Sequence, residues 1–84
     1  MERKPRPIHF SEMLDLLRKA EETGSLVNLR AWKTSGEIRA YSRWKVVGSH
    51  WRGGVTRLLD PQTREVRQVP QIFIFEIMGH RVFL

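Results

Sequence analysis

The sequence predicts an α+β domain: one N-terminal amphipathic helix packed on an antiparallel five- to six-stranded curled sheet or small barrel. Three observations lead there. Apolar residues from Phe10 to Ala20 recur at helical spacing, the period drops to two after Gly24 with β-branched and aromatic residues dominant, and turn signals then follow at short intervals. A chain of 84 residues is expected to hold one core, and so short a domain buries only about 60% of its unfolded surface. A deep, water-excluded catalytic pocket is therefore not expected.

Residues 1–9 read as a basic extended leader and 10–84 as the single domain. Pro5 and Pro7 keep the leader extended, because proline lacks an amide hydrogen and disfavours helix in the residue before it. In the helix, Phe10, Met13, Leu14, Leu17 and Ala20 form one stripe with Leu16 on its flank. Ser11 is the expected N-cap, with Glu12 and Asp15 near the positive end of the dipole, and Gly24 the expected left-handed stop. Strands are expected at 26–34, 37–47, 55–59, 64–69, 72–77 and 80–84, separated by turns at 35–36, 48–54, 60–63, 70–71 and 78–79.

Formal net charge is +6, and it is uneven. Residues 1–10 carry +2, 11–25 carry −2, and 26–67 carry +6; the rest is neutral, and arginine outnumbers lysine 11 to 4. Arginine's planar fork suits phosphate, bases and carboxylate better than a lysine point charge does. With no cysteine, neither a disulfide framework nor a thiolate metal site is available. His9, His50 and His80 are scattered, and no catalytic or metal-binding motif accompanies them, so no enzyme, cofactor or metal site is expected. The start lacks the apolar stretch of a signal peptide, and the apolar run 72–78 is too short for a membrane-spanning helix. A cytoplasmic protein with no membrane partner is the expectation.

The hairpin at 26–47 carries the candidate site. With Ser35-Gly36 as a two-residue turn, Lys33 faces Ile38, Ala31 faces Ala40, Leu29 faces Ser42 and Val27 faces Trp44 on a mostly apolar face. The opposite face then pairs Trp32 with Arg39, Arg30 with Tyr41 and Asn28 with Arg43, with Lys45 further along. Cations neutralise phosphates, and aromatic rings stack on bases at about 1–3 kcal/mol each. The same residues would equally serve as solvent-face cation–π pairs worth about 0.5–1 kcal/mol. The loop at 48–54 adds His50, Trp51 and Arg52 between glycines whose amides could cradle a phosphate; its plainer reading is a hairpin loop with Trp51 folded onto the core.

The run Ile72-Phe73-Ile74-Phe75-Glu76-Ile77 is apolar on both faces, which suits a central strand covered on both sides or an edge used for self-assembly. Glu76 and Arg81 are expected to face each other across Met78-Gly79.

A short helix, a long bent hairpin over 27–51 and the ending Ile74-Phe75-Glu76-Ile77-Met78-Gly79-His80-Arg81-Val82 resemble the Sm-like small barrels, and SH3-type barrels share the strand count. The Sm-like ending carries a basic residue where this chain has Met78, and the family's acidic-x-aliphatic-x-asparagine motif has no counterpart after Val46. No binding residue is therefore carried over. The strings Trp44-Lys45-Val46-Val47-Gly48 and Ile72-Phe73-Ile74-Phe75-Glu76-Ile77 also resemble small uncharacterised reading frames of single-stranded DNA phages of gut bacteria. That resemblance implies a genome-binding, packaging or host-modulating role, and virion association in place of a cytoplasmic location.

The functional expectation is a non-catalytic module that binds single-stranded RNA or DNA with little sequence preference. Its residues are Arg30, Trp32, Arg39, Tyr41 and Arg43, supported by Lys45, His50, Trp51, Arg52 and the leader. The alternative is a structural or adaptor protein that forms a homo-oligomer or docks an acidic protein partner.

Overall fold

Helix α1 (Phe10–Thr23) starts two residues earlier than Ser11 would have it, because His9 caps it. The computed structural model, which describes residues 6–50 and 53–84, shows the His9 backbone extended and its ring Nδ1 accepting from the Ser11 N–H at 3.1 Å. Glu12 answers by accepting from the His9 N–H at 3.4 Å, so two of the helix's orphan donors are satisfied reciprocally. Gly24 ends the helix as expected, at φ 73° with its N–H donating to Ala20. The stripe also holds: Met13, Leu17 and Ala20 are buried, and Phe10 and Leu14 pack against the core.

Among the described residues seven strands form one mixed sheet: β1 (Ile8–His9), β2 (Leu26–Trp32), β3 (Ile38–His50), β4 (Val55–Leu59), β5 (Val66–Pro70), β6 (Ile74–Ile77) and β7 (His80–Phe83). Among the described residues their order is β1-β7-β6-β2-β3-β4-β5, parallel only between β1 and β7, and the sheet does not close. The count exceeds the expected five to six because Ile8–His9, in the stretch read as leader, pairs with Val82 and Phe83. Helix α1 packs against β1, β3 and β7 and covers the inner face of the curl.

The β2–β3 register departs from the expected one, and the cause is local. Lys33 N–H donates to Glu37 and Gly36 N–H donates back to Lys33, with Gly36 at φ 91°. The turn is therefore a three-residue loop with a left-handed glycine, in place of a two-residue turn. One extra residue slips the pairing by one, so Trp32 faces Ile38, Ala31 faces Arg39, Arg30 faces Ala40 and Leu29 faces Tyr41. A second irregularity restores the count: Ser42 and Arg43 together oppose Asn28, with Arg43 at φ 59° and its N–H donating to Asn28 Oδ1 at 2.7 Å. Beyond it Val27 faces Trp44, as the sequence predicts.

The doubly apolar run at 72–77 resolves differently from a continuous strand. Gln71–Phe73 is a single 3₁₀ turn, which leaves Ile72 exposed and turns Ile74 and Ile77 into the core. Buried Gln71 anchors that turn by donating its N–H to Gly54 and its Nε2 to Thr56 Oγ1 at 3.0 Å. Strand β6 sits between β7 and β2, and Glu76 faces Arg81 as expected.

Gly36 has open space where a Cβ would stand, so a side chain there costs only backbone strain. Gly36→Ala is expected to lower unfolding free energy by about 1–2 kcal/mol, with Gly36→Asn closer to wild type because asparagine tolerates the left-handed region. Urea denaturation checks this, and equal stability for Ala and wild type would refute the three-residue loop.

Candidate functional site

The slipped register divides the expected basic–aromatic ladder between two faces. On the outer face Arg30 and Trp32 remain exposed, with Trp32 at 46% relative exposure. Phe75 joins them as the extra residue of the β2–β6 pairing: its ring lies 5.4 Å from Trp32, and the Arg30 guanidinium sits 5.4 Å over it. Arg30 also reaches Glu76 at 3.4 Å, so the carboxylate expected to pair with Arg81 is engaged by Arg30.

Arg39 and Tyr41 do not belong to that face. The slip carries them inward, and Tyr41 is buried edge-to-face against Trp44 at 5.0 Å. The Arg39 guanidinium lies over both rings, 5.0 Å from Tyr41 and 5.6 Å from Trp44. The two residues meet there as a cation–π stack, worth about 0.5–1 kcal/mol when exposed and about 2 kcal/mol or more when desolvated.

Arg43, at the bulge, stands apart from both groups, beside Leu26, Asp60 and Gln62 around a separate hollow. Lys45 is exposed between Leu26 and Leu59. The His50 backbone pairs with Val55. The expectations for the His50 side chain and for Trp51 and Arg52 lie outside the described residues, as does the leader up to residue 5.

Curling of the sheet brings β5 and the 3₁₀ turn back towards the β2–β3 hairpin. Between them opens a cleft of about 210 Å³, lined by Trp32, Lys33, Arg39, Tyr41, Arg67, Phe73 and their neighbours on β5. Arg67 shares the inner face through its pairing with Leu58. Glu65, just before β5, bridges two of the lining arginines: its Oε1 accepts from Arg39 at 2.7 Å and its Oε2 from Arg67 at 2.6 Å. The hydrogen bond from Arg67 is the main cause that holds the Glu65 carboxyl below its ordinary value of 4.5; that from Arg39 adds to it, and desolvation opposes both. Trp32 therefore borders both the outer aromatic group and the cleft.

Sequence reasoning missed Glu65, Arg67, Phe73 and Phe75 as site residues. Glu65 lies 26 positions from Arg39 in sequence and Arg67 two further, a separation that a curled sheet must close, and no local pattern marks that closure. Among the described residues no group of three His, Asp or Glu side chains is placed to hold a metal ion. No helix among them is long and apolar enough to cross a membrane. No family model matches the chain, and no curated protein and no solved structure matches it.

Two carboxyls with lowered values tie stability to acid. Arg6 donates to Glu12 at 2.8 Å and is the main cause of the Glu12 shift, the His9 N–H adding to it. A depressed folded value means the stabilisation is complete above the ordinary 4.5 and is lost as pH falls through the lower folded one. The thermal midpoint should therefore fall between about pH 5 and about pH 3. In the double variant Glu12→Gln, Glu65→Gln that fall should be shallower, the two curves converging at the acid end. Parallel curves from a calorimetric pH series would show that other groups govern the acid limb.

Proposed function

We propose that the protein is a non-catalytic nucleic-acid-binding module that takes single-stranded RNA or DNA, with little sequence preference, along the cleft between Trp32, Arg39 and Arg67. The observation that carries this reading is a half-exposed tryptophan bordering a cleft onto which two guanidinium groups converge. Every base has a π-face, so stacking on Trp32 is tolerant of sequence, while arginine forks suit phosphate oxygens. The excess charge supports capture of a polyanion: Arg43, Lys45, Arg57 and Arg64 have no carboxylate within ion-pair distance among the described residues. Arg30 and Phe75 on the outer face extend the platform, and Tyr41 serves beneath Arg39 as its support.

A second reading is self-assembly, or docking of an acidic protein surface. It draws on β5, which ends the sheet among the described residues and leaves one side of its backbone unpaired in the ladder. Concentration-dependent light scattering that ignores salt and nucleic acid would favour it.

The test is fluorescence anisotropy of labelled single-stranded RNA and DNA at two salt concentrations, on protein freed of bound nucleic acid. Trp32→Ala should weaken binding by about 5- to 150-fold, the equivalent of removing one stack at 1–3 kcal/mol. Arg67→Ala should weaken it and reduce the salt slope by about 0.7, the effect of one phosphate no longer neutralised on a single strand. Arg43→Ala, outside the cleft, should do less than either. Absence of binding at low salt would sink the proposal.

A further inference from the structure

Glu65 is a carboxylate set among the cations that the nucleic-acid reading needs. Both of its oxygens are engaged, one by Arg39 at 2.7 Å and one by Arg67 at 2.6 Å, so two guanidinium groups from opposite lips of the cleft converge on one anion. A phosphodiester presents two non-bridging oxygens to guanidinium groups much as a carboxylate presents its own two. We propose that Glu65 is an internal occupant of the phosphate seat, and that a phosphodiester of single-stranded nucleic acid enters by displacing it; this rests on the nucleic-acid reading of the cleft.

The surroundings of Glu65 suit displacement. Arg39 keeps its place without the carboxylate, because its guanidinium lies over the Tyr41 and Trp44 rings, which are buried and packed edge-to-face. The backbone of Glu65 is held independently of its side chain. Asp60 N–H donates to the Glu65 carbonyl at 2.9 Å, Arg64 N–H donates to the Asp60 carbonyl at 2.8 Å, and Glu65 N–H donates to Thr63 Oγ1 at 3.2 Å. The side chain is 34% exposed, so it turns out to solvent by a change of rotamer with no change in the loop.

Displacement makes the cleft selective among anions. An isolated anion must replace an ion pair already formed, an exchange of like for like that yields little net free energy. A strand that also stacks on Trp32 gains a contact Glu65 does not supply, and it releases counterions as well. Glu65 thus sets a threshold that polymeric ligands pass and small anions do not.

Three variants test this against a fluorescein-labelled oligothymidylate of about 15 nucleotides, at the upper end of the span one small binding fold covers. Salt is kept at about 0.15 M, where the screening length is about 8 Å and distant charges count little. Glu65→Gln keeps shape and removes charge. Glu65→Asp keeps charge, but it is one methylene short of bridging both arginines. Glu22→Gln, on α1 and away from the Arg39–Glu65–Arg67 bridge, removes the same charge elsewhere.

The expected result is binding tightened about fivefold or more by Glu65→Gln, about twofold by Glu65→Asp, and unchanged within error by Glu22→Gln. Equal effects of Glu65→Gln and Glu22→Gln would reduce the role of Glu65 to net charge and overturn the proposal. So would weaker binding in Glu65→Asp, which would make the carboxylate a support for the arginines. Circular dichroism establishes folding for each variant, and should Glu65→Gln not fold, Glu65→Asp decides alone. If neither wild type nor Glu65→Gln binds, the nucleic-acid reading itself fails; if wild type binds and the Glu65 variants bind no tighter, only the displacement fails.

Discussion

Strand β3 serves two halves of one sheet with a single alternation of side chains, and the rest of the structure depends on how it manages this. Its first residues pair with β2 and its last with β4, over 13 residues that a flat strand would carry straight past any common core. Two irregularities bend it. Ser42 and Arg43 oppose Asn28, and Val47 is passed over between the Val46–Leu58 and Gly48–Arg57 pairs. Each extra residue bends and twists the strand. Tyr41, Trp44 and Val46 consequently all lie in one core, although a strict period of two would place Tyr41 and Trp44 on opposite faces. The cost is visible in backbone strain: Arg43 sits at φ 59°, a region that disfavours any residue with a Cβ, and Asn28 offsets it by accepting the Arg43 N–H.

The same bends decide the electrostatics. Were the hairpin regular, Arg30, Arg39 and Arg43 would share one face, with Glu37 at its turn end as the hairpin's single acid there. The slip sends Arg39 to Glu65, the pairing of β2 with β6 sets Arg30 beside Glu76, and the bulge sends Arg43 to neither. Exposed ion pairs of this kind contribute about 0–1 kcal/mol each, so they do not hold the fold together. Their effect is on position. Arg39 is fixed between an aromatic stack and a carboxylate, a constraint that a long flexible side chain would not otherwise have.

The fold class, the helix with its apolar stripe, its glycine stop and most strand limits were legible in the sequence, because each rests on a period or a turn residue within a few positions. The helix start was not, since histidine as a cap offers a ring nitrogen where serine would offer a hydroxyl and carries no strong statistical signal. The hairpin register failed for a sharper reason. Ser35-Gly36 is compatible with two loop lengths, and the choice between them lies in whether Gly36 acts as the second turn residue or as the left-handed residue after it. Residues beyond the bulge were nevertheless placed correctly, Val27 opposite Trp44, because two one-residue errors cancel. Internal agreement of polarity across a ladder is thus weak evidence where small residues such as Ala40 and Ser42 fit either face. The cleft was not legible at all, for it is made by Arg67 and Phe73 arriving from the far side of the curl, with Glu65 tying Arg67 to Arg39.

Trp32 is the residue on which packing and charge converge. It is the last residue of β2, it faces Ile38 on the outer side, it leans on Phe75, and it borders the cleft. Among the described residues the one α-helix covers the inner face only, so the apolar surface of Trp32 and Ile38 stays about half in water, a standing cost of about 25 cal/mol for each Å² left exposed. On the nucleic-acid reading, the cationic stations on either side of Trp32 each carry a carboxylate already, Glu76 beside Arg30 and Glu65 beside Arg39. Exchanging those carboxylates for phosphates is close to neutral. The net free energy of binding must then come from what has no internal substitute: the face of Trp32, and the counterions released by the cations that no acid neutralises. Charge would bring the strand to the surface, and the tryptophan would hold it there.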